Sequence, residues 1–95
     1  MDPVYLFTVE DTFQISGRGC VLVPGPSAEE GSQRIRIGDR VCLRKPDGCS
    51  FDTTIAGVEM IGHRSRPKVI TAPILLPGDV TKGDVPIGTE VWLLP

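Results

Sequence analysis

From Val4 to Ile15 the chain alternates, with Tyr5, Phe7, Val9, Phe13 and Ile15 on one parity and Thr8, Glu10, Thr12 and Gln14 on the other. Successive side chains of a strand point to opposite faces, so this pattern predicts one half-buried β-strand with the apolar set turned inward. Ser16-Gly17-Arg18-Gly19 places two glycines where the backbone must turn, and Cys20 to Val23 reads as the returning strand of a hairpin. Pro24-Gly25-Pro26-Ser27 ends that strand, and the stretch from Gly25 to Gln33 has no apolar period, which predicts an exposed loop. Around a Gly38-Asp39 turn, Arg34-Ile35-Arg36-Ile37 and Arg40-Val41-Cys42-Leu43-Arg44 alternate again, predicting two strands with Ile35, Ile37, Val41 and Leu43 inward and the arginines outward.

Pro46-Asp47-Gly48 is a turn in which Pro presets its own φ and Gly accepts a positive one, so a hairpin follows. Ser50 to Met60 reads as one long strand rich in β-branched residues, with Gly57 marking a bulge or bend. Gly62 to Pro67 is polar and loop-like, whereas Lys68 to Leu76 resumes as a strand in which Pro73 argues for an edge or bulged position. Asp79 to Gly88 is rich in turn residues, with Val80, Val85 and Ile87 expected to tuck inward, and Glu90 to Leu94 forms the last strand. Ile37-Gly38-Asp39-Arg40-Val41-Cys42-Leu43 and Ile87-Gly88-Thr89-Glu90-Val91-Trp92-Leu93 share I-G-x-x-V-x-L, a match too short on its own to establish a duplication. About six or seven short strands and no helix result, and closing them into a small antiparallel barrel is the economical way to remove the sheet edges. The expectation is therefore an all-β closed β-barrel, one domain over residues 1–95.

Composition sharpens this picture in three places. With 11 Gly and 9 Pro in 95 residues, turns are frequent, as many short strands require. A net charge of −2 removes the diffuse positive field on which sequence-independent nucleic-acid binders rely, so any such contact must be local. The local basic segments are Arg34 to Lys45, which includes Arg36, Arg40 and Arg44, and Arg64 to Lys68, which includes Arg66. Cys20, Cys42 and Cys49 are odd in number and lack a C-x-x-C pair, which indicates neither a disulfide framework nor a zinc site. A reducing compartment, the cytoplasm, is expected, since Met1-Asp2-Pro3 lacks the positive flank of a signal peptide and the apolar run from Val69 to Leu76 is too short to span a bilayer.

Several blocks in order resemble the second domain of elongation factor Tu and related translation GTPases. They are Phe7 to Gly19 with V-E-D-x-F-x-I-x-G-R-G, Ile37 to Val41, Ala56-Gly57-Val58-Glu59-Met60, Leu75-Leu76 and Lys82 to Gly88. The resemblance covers nearly the whole chain and implies a Greek-key barrel of the translation-factor domain 2 type. In that family the barrel docks on a nucleotide-binding domain and receives the 3′ end of transfer RNA. The family's contact positions fall on Glu10, Phe13 and Glu59. The family's arginine three positions after that glutamate is Gly62 here, which leaves Arg64 or Arg66 as substitutes, and the Pro24 to Gln33 loop is longer.

No G-x-x-x-x-G-K-[ST] loop is present, and the chain is too short for a βαβ nucleotide-binding domain beside the barrel, so it binds no nucleotide by itself. The resemblance implies a non-catalytic binding module without a cofactor. One reading is contact with a transfer RNA end or ribosomal RNA through Glu10, Phe13 and Glu59, with Arg36, Arg40, Arg44, Arg64 and Arg66 as cations. The other is a protein-interaction module that docks on a separate GTPase or another protein. For catalysis the sequence offers one histidine, His63, which reads as an exposed loop residue, and Glu10, Asp11 and Glu59, which read as polar residues near a barrel mouth. Cys20 reads as a packed strand residue and Cys42, on the outward parity, as the more oxidisable thiol.

Overall fold

The computed structural model describes residues 2–27, 35–59 and 71–95. Within them run β1 (Val4–Thr8), β2 (Asp11–Ile15), β3 (Gly19–Val23), β4 (Arg40–Arg44), β5 (Ser50–Thr54), β6 (Gly57–Val58), β7 (Ile74–Leu76), a 3₁₀ turn (Lys82–Asp84) and β8 (Glu90–Leu93). The strands form two four-stranded antiparallel sheets, β1-β8-β4-β5 and β2-β3-β7-β6. The expected closed Greek-key barrel is not formed: the two sheets are open, and each ends in edge strands, β1 and β5 in the first, β2 and β6 in the second.

The reason lies in two bends that the alternation concealed. Val4 to Ile15 is not one strand, because at Val9-Glu10 the chain leaves the first sheet, where Val9 N–H donates to Thr89 O at 2.8 Å, and enters the second, where Glu10 N–H donates to Val23 O at 2.9 Å. Ser50 to Met60 divides likewise at Ile55-Ala56: Ile55 N–H donates to Asp39 O and Ala56 N–H to Leu75 O. Strands that switch sheets at such corners let two sheets share one core without closing on each other. Phe7, Val41, Leu43 and Val91 from the first sheet meet Cys20, Leu22, Ile74 and Leu76 from the second, and Val9 and Ile55 at the corners complete the cluster. Each fully buried Leu or Ile there contributes about 1.5–3 kcal/mol of transfer free energy.

The bends also reverse side-chain directions. A bulge between Tyr5 and Phe7 sends Tyr5 outward opposite Trp92, while Phe7 faces inward opposite Val91. Past the corner, Thr12 is buried and Phe13 is 52% exposed, contrary to the expected inward set. Residues 35–39 do not form a strand, and Ile37 is 70% exposed because Arg36 to Asp39 is a tight turn: Asp39 N–H donates to Arg36 O at 3.1 Å, and Arg36 N–H donates to Asp39 Oδ2 at 2.8 Å. Ile87, also expected inward, is 68% exposed at the matching turn, where Thr89 N–H donates to Pro86 O at 3.1 Å. Isoleucine and glycine thus occupy the two central positions of each turn, with Gly38 and Gly88 at φ 95° and 94°.

The two I-G-x-x-V-x-L segments are therefore equivalent in space as well as in sequence. Gly38 N–H donates to Ile55 O just as Gly88 N–H donates to Val9 O, at 2.7 and 2.9 Å. Their strands β4 and β8 lie side by side with Val41 opposite Leu93 and Leu43 opposite Val91, which centres a local two-fold on the Cys42–Trp92 pair. Exchanging β4 with β8, β5 with β1, β3 with β7 and β2 with β6 maps both sheet orders onto themselves. The hairpins expected at Ser16 to Gly19 and Pro46 to Gly48 are present, with Ile15 opposite Gly19 and Arg44 opposite Ser50. Of the strand expected over Lys68 to Leu76, residues 68–70 lie outside the described residues, and the remainder consists of β7 and a single bridge from Thr71 to Ser27.

Candidate functional site

The family-derived constellation is dispersed. Glu10 is exposed at the β1–β2 corner and Phe13 is exposed on β2, so both lie on one edge of the second sheet. Glu59 follows β6 on the opposite edge, where its N–H donates to Pro73 O at 2.8 Å. Phe13, Val21, Leu75 and Gly57 make one lateral row, so β2 and β6 stand three strand spacings apart, about 14 Å along the sheet. A rim gathering Glu10, Phe13 and Glu59 required a closed cylinder, and the open sheets do not provide one. Arg64, Arg66 and His63 lie outside the described residues, as do residues 28–33 of the expected loop.

The arginines fare differently. Arg36 belongs to the turn before β4, while Arg40 and Arg44 project from the outer face of that strand. On this face Tyr5, Trp92, Cys42 and Asp52 form a row across β1, β8, β4 and β5, and Thr8, Glu90, Arg44 and Ser50 form the next. Tyr5 meets Trp92 edge to face with centroids 5.3 Å apart and planes at 69°, an arrangement that aligns a ring edge with the electron-rich face of its neighbour. The Arg44 guanidinium lies 4.8 Å from the Trp92 centroid, and Trp92 Nε1 donates to Glu90 Oε1 at 3.1 Å. Tyr5 Oη and Thr8 Oγ1 are hydrogen-bonded to each other. Trp92 is thus held on several sides while Tyr5 stays 47% exposed.

Arg40 pairs with Asp52 at 3.6 Å across the strands, both side chains largely in solvent, so the pair contributes little to stability. Cys42 lies between Trp92 and Asp52, where burial first and the neighbouring Asp52 second push its thiol above the ordinary value. Cys42 faces outward as expected and is the more accessible of the pair with Cys20, which is fully buried with its thiol also raised by burial, but Cys49, which the alternation did not single out, is the most exposed of the three. Beside the arginine row, a surface cavity of ≈ 460 Å³ is lined by Arg44, Lys45, Pro46, Gly48, Ser50, Gly88 and Glu90. Lys45 Nζ lies 5.3 Å from the Phe51 ring centroid.

Tyr5 and Trp92 were not singled out as site residues by the alternation. The available signal was the strict parity of Glu90-Val91-Trp92-Leu93, which places Trp92 outward once Val91 is assigned to the core. Among the described residues, no three His, Cys, Asp or Glu side chains converge as metal ligands, and no helix is long and apolar enough to cross a membrane. Comparison with protein-family models, with curated proteins and with solved structures returned no match. The likeness to elongation factor Tu rests on the sequence blocks alone.

Proposed function

We propose that this chain is a non-catalytic protein-binding module that docks through the outer face of the β1-β8-β4-β5 sheet. The observation that carries the reading is the Tyr5–Trp92–Arg44 stack presented to solvent on rigid strands. Tyr, Trp and Arg are the residues in which interface energy concentrates, because each buries a large area at small entropic cost and keeps a polar end for the partner. Mutual packing fixes these three rotamers in advance, which lowers the ordering cost of association. Free cysteines fit a reducing compartment, the cytoplasm.

Base stacking is the competing use of an aromatic sheet face. Arg44 already occupies a face of Trp92, and the net charge of −2 opposes a polyanion, so a protein partner, a separate GTPase among the candidates, is the better fit. The test is affinity capture from native extract with the wild-type chain and with Tyr5→Ala and Arg44→Glu, followed by titration of each purified captured protein. A partner whose binding falls at least about tenfold with either substitution is expected, as for a hot-spot residue. Equal capture by all three chains would remove this face from the interaction, and transfer RNA binding that weakens with salt and with Arg44→Glu would replace the protein reading with RNA.

A further inference from the structure

We propose that the cavity between the β4–β5 turn and the start of β8 is a binding site for the free carboxylate terminus of a peptide. The inference rests on the protein-binding reading and names the part of the partner that the face would take. Arg44 and Glu90 are directly paired across β4 and β8 and both line the cavity, with Ser50 beyond Arg44 on β5 and Pro46 supplying an apolar wall. Among the described residues the one ion pair is Arg40–Asp52: Arg44 lies over the Trp92 ring and Lys45 near the Phe51 ring, and neither has a carboxylate oxygen within 4.0 Å, although Asp47 and Asp84 lie close enough to Lys45 to feel its charge. An arginine stacked on an aromatic face keeps its in-plane N–H donors available for a planar oxyanion. Glu90 has one oxygen engaged by Trp92 Nε1 and a second available as an acceptor.

A cation and an acceptor at adjacent cross-strand positions match a ligand that presents an anion and an N–H donor side by side. The last residue of a peptide has that chemistry: its carboxylate faces Arg44, Lys45 and Ser50 Oγ, while its own amide N–H faces Glu90. A simple anion gains the first set of contacts and is repelled by Glu90. The volume lies within the range of small-ligand sites. The other charges near the cavity are Asp47, in the same turn, and Asp84, both of which Lys45 helps to hold below the usual carboxylate range. Arg44 is consequently the principal anchor and Lys45 the lesser one.

The test is titration of the ¹⁵N-labelled chain with four probes: N-acetyl-Gly-Ala-Leu as the free acid, its C-terminal amide, an amidated peptide with an internal aspartate, and sodium acetate. The free acid is expected to shift the amides of Gly48, Ser50, Gly88 and Glu90 saturably, the two amidated peptides to leave them in place, and acetate to bind more weakly. Arg44→Gln should lower free-acid affinity about tenfold, the scale of one charge-assisted hydrogen bond, and Lys45→Gln should lower it less. Glu90→Gln should weaken the peptide while strengthening acetate, a pair of opposite changes that general unfolding does not produce. No saturable shift, shifts mapping elsewhere, or equal binding of either amidated peptide would overturn the assignment. Loss of a captured partner on Tyr5→Ala with a silent cavity would leave the protein-binding face intact and remove the carboxylate site alone.

Discussion

Gly17 and Gly19 sit in the same hairpin, yet replacing each with alanine should have different consequences. At Gly17, φ is 77° and an added Cβ meets nothing within 4 Å, so Gly17→Ala incurs only the left-handed strain, partly offset by a less flexible unfolded chain. That nets to about 1 kcal/mol. At Gly19, φ is 135° and the Cβ would lie 2.0 Å from the Leu76 carbonyl oxygen, where ordinary contact begins at 3.4 Å. Backbone cannot rotate out of the way, so β3 and β7 must part by more than an ångström at the Cys20–Leu76 pair, one of the three pairs joining them. A hydrogen bond lengthened that far is lost, at about 1 kcal/mol each, and partial exposure of the fully buried Leu76 adds about 1–2 kcal/mol. With the backbone strain, Gly19→Ala should cost about 4 kcal/mol, a large share of the roughly 5–15 kcal/mol that stabilises a small domain. Urea unfolding followed by the fluorescence of Trp92, the one tryptophan, measures both variants with a single probe. Equal losses within about 0.5 kcal/mol would refute the close approach of β3 to the end of β7.

Leu43→Ala, which empties a fully buried position, should lose about 3 kcal/mol in the same assay, while Ile37→Ser and Ile87→Ser at the exposed turn tips should stay within about 0.5 kcal/mol. Iodoacetamide under native conditions, read by mass spectrometry of peptides, should modify Cys49 first, Cys42 slowly because burial and Asp52 suppress its thiolate, and Cys20 only on unfolding. The Asp84 carboxyl is held below its ordinary 3.8 chiefly by the Thr81 N–H and then the Thr81 hydroxyl, with Lys45 assisting. A depressed folded value gives stability that is present above the unfolded pKa and lost as pH falls through the folded one. Thermal melts of Asp84→Asn should therefore lie beneath the wild type above about pH 3.8, approach it as pH falls below that value and meet it only below the lower folded pKa, and parallel curves through this window would remove the linkage.

What the sequence revealed and what it hid divide along one physical line. Hairpins closed by short turns, such as Ser16 to Gly19 and Pro46 to Gly48, are local, and their glycines and prolines state the turn directly. Arg40 to Leu43 and Glu90 to Leu93 were readable because each lies in one sheet with a fixed inner face. The corner at Val9-Glu10 carries no Gly or Pro and Val9 continues the apolar alternation, so nothing local marks the change of sheet there, while at Ile55-Ala56 the local signal is Gly57, which reads as a bend within one strand and not as a passage between two sheets. The bulge between Tyr5 and Phe7 misplaces Tyr5 and the corner at Val9-Glu10 misplaces Phe13 and with it the proposed rim, because a shift of a single residue sends a side chain to the other face. The Ile-Gly turns misled in the same way: Ile37 and Ile87 keep the parity of a core residue while the backbone has already turned.

The local two-fold bears on where function resides. A symmetric framework offers every position twice, so residues that differ between the two copies are those the framework does not require. Gly38 and Gly88, Val41 and Val91, and Leu43 and Leu93 are matched because both halves need the same turn and the same inner face. On the outer face the matched positions diverge: Trp92 corresponds to Cys42, Tyr5 to Asp52, and Glu90 to Arg40. Arg44 and Lys45 at the cavity correspond to Leu94 and Pro95, so its cations have no counterpart in the other half. The aromatic stack and the cavity lie together on the side where the symmetry is broken, with Arg44 common to both. The proposed docking face, which has one orientation, is built from that asymmetry.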